Sequence, residues 1–262
     1  MGKPVVVVPK PSGDIRLCVD KRLANQAVIR ERYPIPTIEE IIHNMNDSSL
    51  FSKLDLNMGF HQIGLSEDSR AITTFVTHTG LYRYKRLMFG ISSAPELYQH
   101  IIQQVVSGCD GTHNISDDII VHGKDVEEHD QRLEKVLQRI QEAGLTLNKR
   151  KCEFRMTELV FMGHKLSSDG ICPSDEKVEA IKDARQPTSA SEVRSFLGLV
   201  QYCSRFIPNL ATISEPLRRL TKKEETFSWG KEQEQSFQSL KNVLTKADTL
   251  AYFDKNAKTS NK

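Results

Sequence analysis

A chain of 262 residues, 38% of them hydrophobic, is long enough for one large domain or two to three subdomains with real cores, which excludes a disordered or fibrous polypeptide. A formal net charge of +2 neither supports nor excludes a nucleic-acid partner, so any such surface must come from local basic clusters. The widely spaced Cys18, Cys109, Cys152, Cys172 and Cys203 contain no C-x₂-C pair and point to neither a disulfide framework nor a zinc knuckle; no apolar run approaches a membrane span, and no signal peptide is evident at Met1-Gly2-Lys3-Pro4-Val5. The expectation is a soluble intracellular protein of a reducing compartment: cytoplasmic, with a particle or the nucleus as alternatives, and not bound to a membrane.

In chain order, Val5 to Val8 and Ile15 to Asp20 read as the strands of a hairpin carrying Lys10 and Arg16. Thr37-Ile38-Glu39-Glu40 is a capping box opening a short helix with Ile38, Ile41, Ile42 and Met45 on one face. Leu50 to Leu56 is an apolar, strand-like run containing Asp55, followed by the turn Asn57-Met58-Gly59-Phe60, where backbone N–H groups can meet phosphate oxygens and Gly59 permits a close approach. Ser66 to Arg70 reads as a solvated link, and residues 73–84 as a hairpin about His78-Thr79-Gly80. Arg83, Lys85 and Arg86 interleave with Tyr82 and Tyr84, a mixture that suits phosphates and stacked bases as well as a plain surface hairpin. Pro95 starts a helix that ends near Gly108.

Ile115-Ser116-Asp117-Asp118-Ile119-Ile120-Val121 sets two neighbouring acids at the tip of two short β-segments. Adjacent strand residues point to opposite faces, but at a tight turn the alternation breaks and both carboxylates can converge on a cation; ordinary turn chemistry is the other reading. Asp55 weighs against that reading, because an aspartate in a buried strand is costly unless paired or bound to metal. Three such oxygen donors suit Mg²⁺, which shares its coordination sphere with water and substrate phosphates, so Asp55, Asp117 and Asp118 form a plausible two-metal site for phosphoryl transfer.

Val126 to Gly144 is the clearest helix, with Leu133, Val136, Leu137 and Ile140 on its apolar stripe. Lys149-Arg150-Lys151 is the densest positive cluster. Beyond Gly170 the pattern is helical, with Ser174 capping one helix, Ser189-Ala190-Ser191-Glu192 a capping box for a second, and Phe206 to Leu220 continuing; Trp229 to Val243 and Leu250 to Asp254 close the chain.

Three spans, Phe51 to Ile63, Leu87 to Gln99 (Leu-Met-Phe-Gly-Ile-Ser-Ser-Ala-Pro-Glu-Leu-Tyr-Gln) and Phe161-Met162-Gly163-His164, resemble in order the successive blocks of a reverse transcriptase of the Ty3/gypsy class of LTR retrotransposon Pol polyproteins. The resemblance implies an α+β right-hand polymerase, with fingers, a palm built on an antiparallel sheet, and a helical thumb. Residues 1–47 would be a fingers portion lacking its upstream part, 48–168 the palm with a fingers hairpin near 70–88, 169–225 the thumb, and 226–262 the start of a connection toward a ribonuclease H domain whose acids this chain lacks. The implied activity is RNA-directed DNA synthesis with two Mg²⁺ ions, Mn²⁺ being an alternative, on an RNA or DNA template with primer and deoxynucleotide triphosphates.

By the same resemblance, Asp55 and Asp117 bridge the metals with Asp118 a weaker ligand. Lys10 and Arg16 meet the triphosphate, and Met58, Gly59, Phe60 and Phe89 form the nucleotide pocket, with Phe60 against the sugar 2′ position. Lys151 lies near the departing pyrophosphate, and Phe161, Met162, Gly163 and His164 hold the primer 3′ end. Ile115 departs from the family's tyrosine at that place, so the competing expectation is an inactive or feeble relic that binds nucleic acid without efficient polymerisation.

Overall fold

The β-branched run near the N-terminus forms β1 (Val5–Pro9), which pairs antiparallel with β2 (Ile15–Val19), Val5 opposite Val19 and Pro9 opposite Ile15. The computed structural model describes residues 5–9, 13, 15–30, 32–222, 225–245 and 250, without the side chain of Arg16. By its contacts the chain divides into two units, residues 1–45 with 50–156 and residues 46–49 with 157–262. The contact boundary near the middle of the chain falls at 156/157.

In the first unit, α1 (Arg22–Asn25) follows the hairpin, and α2 (Ile38–Ile42) begins at the expected capping box: the Thr37 side chain accepts from Glu40 N–H, and the Glu40 carboxylate accepts from Thr37 N–H. Ile41, Ile42 and Met45 are buried, as their spacing requires. The Asp55 run is β3 (Leu50–Asp55). The expected solvated link is largely exposed and takes the form of a short helix, α3 (Glu67–Arg70), in which the Arg70 guanidinium donates to Leu65 O at 3.1 Å. The next hairpin is β4 (Phe75–Thr77) with β5 (Gly80–Tyr82), and Pro95 lies in the first turn of α4 (Ala94–Val105).

β6 (Thr112–Ile115) and β7 (Asp118–Gly123) flank the acidic turn, α5 (Val126–Glu142) is capped by Asp125, whose carboxylate accepts from Glu128 N–H, and β8 (Glu153–Met156) completes a four-stranded antiparallel sheet in the order β6-β7-β3-β8. One face of that sheet is a core. Leu54, Ile119 and Val121 pack with Tyr98 and Ile102 of α4 and with Val136 and Ile140 of α5. Side chains alternate along a strand, so burying Leu54 and Ile119 turns Asp55 and Asp118 to the opposite face.

The second unit opens with β9 (Glu158–Phe161), β10 (His164–Ser167) and β11 (Gly170–Pro173), an antiparallel meander; β11 replaces the start of the helical pattern expected past Gly170. Four helices follow, α6 (Asp175–Lys182), α7 (Ala190–Tyr202), α8 (Leu210–Arg219) and α9 (Lys231–Thr245), which pack on one another through Ile181, Val193, Phe196, Leu217, Phe237 and Leu240. Ser174 occupies the N-cap of α6 without a side-chain cap bond, contrary to expectation, and at α7 the Ser189 hydroxyl accepts from Glu192 N–H while the Glu192 carboxylate accepts from Thr188 rather than Ser189. Residues 251–254 of the expected connection lie outside the described residues. Among the described residues no helix is long and apolar enough to cross a membrane.

Candidate active site

Asp55 ends β3 directly opposite Asp118, the first residue of β7, so the two carboxylates are cross-strand neighbours on the face turned away from α4 and α5. Asp117 sits between them in sequence and outside the ladder. Ile115 pairs with Asp118, which leaves Ser116 and Asp117 as a two-residue turn with Ser116 left-handed at φ 52°. A β-substituted residue holds that conformation only when its surroundings enforce it. Here α4 supplies the enforcement: the fully buried Gln99 accepts from Ser116 N–H at 2.8 Å and donates to Asn114 O at 3.0 Å, and Leu56 N–H donates to Asp117 O at 3.2 Å. Ile115 is itself buried and in register, so an isoleucine there leaves all three acids in place.

The turn after β3 is held as tightly. Asn57 N–H donates to Thr146 O at 2.9 Å and Gly59 N–H to Leu56 O at 3.3 Å, so two of the amides expected to meet phosphate are already engaged by protein. Met58 is left-handed at φ 51° and 61% exposed. Gly59 is required for a close approach that its sequence does not show. A Cβ there would collide with Asp117 Oδ1 and lie 2.7 Å from the Tyr98 hydroxyl, so only hydrogen leaves room for this carboxylate.

Phe60 is partly buried between two rings, with centroids 4.8 Å from Phe89 and 4.9 Å from Tyr98. Phe89 is 44% exposed, and the Asn25 side chain spans its loop by donating to Gly90 O at 2.8 Å and accepting from Ser92 N–H at 3.0 Å. In the basic hairpin, Tyr84 stacks on His61 at 5.8 Å and Arg86 guanidinium donates to Gln62 O at 2.8 Å; Arg83 and Lys85 are exposed.

Charge is distributed unevenly over the acids. Lys151 Nζ lies 3.0 Å from Asp55 Oδ2, with the carboxylate side chain 13% and the ammonium side chain 64% exposed. Burial pushes the Asp117 carboxyl above the ordinary aspartate value; the Tyr98 hydroxyl opposes the rise, Asp55 adds to it and Lys151 opposes it. Burial likewise raises Asp118, with Lys53 working against it and the charges of Asp55 and Asp117 reinforcing it. Asp117 Oδ1 and the Tyr98 hydroxyl are both buried, and neither meets the geometry of a hydrogen bond to protein.

A cluster of half-buried carboxylates short of positive charge, with an unpartnered oxygen, fits a hard divalent cation. Among the described residues no three His, Cys, Asp or Glu side chains are placed so as to hold a metal ion by themselves. An open set of oxygens is what a cation shared with water and phosphate requires.

Asp55, Asp117, Asp118, Met58, Gly59, Phe60, Phe89 and Lys151 are thus gathered in the first unit, whereas Lys10 and the side chain of Arg16 lie outside the described residues. In the second unit, Phe161 and His164 are buried and paired across a two-residue turn in which Met162 (φ 47°) and Gly163 (φ 71°) are both left-handed, the hairpin geometry that matches strand twist. The Tyr202 hydroxyl donates to Met162 O and its ring stacks on His164 at 5.1 Å, while a Cβ on Gly163 would fall 2.7 Å from that hydroxyl. The sequence reading assigned no role to Tyr98, Gln99 or Asn25. Tyr98 and Gln99 stand at the end of the Leu87–Gln99 motif, but Gln99's partners are 15 and 17 residues further along, Tyr98's ring partner Phe60 is 38 residues earlier, and no local pattern links them.

The family model for reverse transcriptase (RNA-dependent DNA polymerase) matches residues 8–166. The Tf2-3 and Tf2-7 transposon polyproteins of Schizosaccharomyces pombe are 33% and 32% identical over 253 residues, 96% of this chain and 19% of each relative, so the chain spans about a fifth of their length. Among solved structures, the foamy viral protease-reverse transcriptase dRH in complex with ds DNA superposes with a TM-score of 0.91 at 27% identity, covering 98% of this chain and 46% of that one. The same viral protein in complex with an RNA/DNA hybrid gives 0.86 at 27% identity, over 96% and 34% of the two chains. The fold is therefore the α+β right-hand polymerase expected from the motifs. Divalent-metal dependence is general to the matched family. With the family model over more than half of the chain and a Ty3/gypsy-type retrotransposon polyprotein similar to it over nearly its whole length, the chain belongs to the reverse transcriptases.

Proposed function

We propose that the chain extends a primer along an RNA or DNA template, using Asp55, Asp117 and Asp118 to hold two Mg²⁺ ions, with Mn²⁺ as a substitute. The observation that carries this reading is the cross-strand pair Asp55–Asp118 with Asp117 at the adjoining turn. When bound, such ions lower the pKa of a primer 3′-hydroxyl and stabilise the departing pyrophosphate. The chain's own part is to keep the carboxylates in place: Lys151 pairs with Asp55, the Gln99 clamp fixes the turn, and Gly59 clears space for Asp117.

Phe60 and Phe89 are read as walls of the deoxynucleotide pocket, Phe60 meeting the sugar 2′ position, with Met58 and Gly59 beside the phosphates and Lys10 and Arg16 reaching the triphosphate. The Phe161–His164 turn is read as the primer grip. The fingers hairpins, the palm sheet and the helices after residue 173 would serve as fingers, palm and thumb.

Primer extension on an RNA template, with purified protein, Mg²⁺ and deoxynucleotides, tests the reading. Asp117→Asn is expected to abolish extension while leaving primer–template affinity within a few-fold, because affinity comes mainly from phosphate contacts spread over many cations. Extension by Asp117→Asn at the parent rate would overturn the two-metal site.

A further inference from the structure

Tyr98 is 1% exposed, yet it carries a hydroxyl into a core otherwise built of Leu54, Ile102, Ile119 and Val136. A phenylalanine would fill the same space without leaving a polar atom to satisfy. The hydroxyl makes no hydrogen bond of good geometry to protein, and neither does Asp117 Oδ1. These two unpartnered oxygens share one nook, since a single added carbon at Gly59 would strike both. A phenol can donate and an ionised carboxylate oxygen can only accept, so the pair is chemically matched. The other side of the ring lies against Phe60, 4.9 Å away and edge-on. One side chain therefore touches both an acid of the site and the aromatic beside it.

We propose that Tyr98 is a positioning residue, whose buried hydroxyl orients the Asp117 carboxylate for cation binding while its ring separately supports Phe60. The inference rests on the polymerase reading of the three acids. It separates two jobs within one residue: Tyr98→Phe removes the hydroxyl and keeps the ring, so support of Phe60 and of the core is retained. A hydrogen bond closed between this donor and the ionised acceptor when the carboxylate turns to a cation would be worth about tenfold in an equilibrium.

The test is Mn²⁺ titration of the full chain bound to primer–template, read by calorimetry or spin-relaxation without turnover, for the parent, Tyr98→Phe, Asp117→Asn and the double variant. Tyr98→Phe is expected to weaken Mn²⁺ about tenfold and lower kcat by a similar factor, with the KM for deoxynucleotide, ribonucleotide discrimination and thermal midpoint nearly unchanged. In the Asp117→Asn background the same change should have no further effect on Mn²⁺ affinity, because the group it acts through is gone. Equal loss in both backgrounds would overturn the proposal in favour of general packing, and parent-like Mn²⁺ affinity in Tyr98→Phe would overturn it outright. If Asp117→Asn itself binds Mn²⁺ and extends primers like the parent, it is the polymerase reading that falls instead.

Discussion

Lys151 Nζ stands 3.0 Å from Asp55 Oδ2, an exposed ammonium against a carboxylate that is only 13% exposed. The pair joins the last residue of β3 to the loop before β8, and the same loop holds the Asp55 backbone through Asn148 N–H to Asp55 O at 2.9 Å. A cation arriving at Asp55 must therefore share that carboxylate with a resident positive charge.

Lys151→Ala is accordingly expected to tighten binding of divalent cation by about threefold at low salt, since a competing charge is removed, with the gain screened away as ionic strength rises. The extension rate should fall, because the carboxylate loses the partner that orients it. Cation titration at two salt concentrations is the measurement; affinity that does not change at either would mean Lys151 is only a solvated neighbour.

Gly59→Ala tests the nook occupied by Asp117. The added methyl collides with Asp117 Oδ1 and meets the Tyr98 hydroxyl, so the carboxylate must move. Displacing a reacting-site group by about an ångström costs on the order of a hundredfold in rate. Extension should drop by about that factor while primer–template affinity stays within a few-fold. Near-parent extension would show that Asp117 works from another position.

Phe60→Val separates a sugar gate from a packing role. A ring under the sugar rejects a 2′-hydroxyl by collision, so its truncation should raise ribonucleotide relative to deoxynucleotide incorporation by at least about tenfold, or about 1.4 kcal/mol. Phe60 also packs against Phe89 and Tyr98, and truncation leaves a cavity costing about a few kcal/mol. The ratio of the two incorporation efficiencies, with the thermal midpoint followed alongside, distinguishes them: an unchanged ratio in a destabilised protein assigns Phe60 to packing alone.

Acid stability should depend on two stacked imidazoles, His113 and His122, whose centroids are 5.4 Å apart. Burial holds both in the neutral form; His122 is pushed down to about 3, with the charges of His113, Arg132 and His129 adding to the effect, and His113 is lowered by burial. In the unfolded chain both protonate near the ordinary histidine value of about 6.5. Below that pH the unfolded state binds the extra protons, so the stability these groups allow is fully present above about pH 6.5 and declines as pH falls toward 3, by at most about 1.4 kcal/mol per pH unit per histidine. Denaturant unfolding of the parent and of His122→Phe between pH 4 and 7 checks this. The variant should show a shallower slope, whatever its absolute stability.

Much of this protein is determined one segment at a time. The Thr37 capping box, the Asp55 strand, the Val126 helix and the two strands bracketing Asp117 and Asp118 are each encoded by period, cap or turn chemistry within a few residues, and they appear where that chemistry sets them. The three acids were legible for a related reason: an aspartate in an apolar strand is anomalous by itself, before anything is known of its surroundings.

What tertiary structure alone decided is which groups serve those acids. The clamp of Gln99 on Ser116, the contact of Lys151 with Asp55 and the shared nook of Gly59, Tyr98 and Asp117 join positions 17 to 96 residues apart in sequence, and no local pattern carries such pairings. Gly59 shows the difference plainly. Its sequence context suggests a backbone approach to phosphate, and the fold adds a second use, its missing side chain admitting a carboxylate, because the space there is set by the register of β3 and β7 over α4.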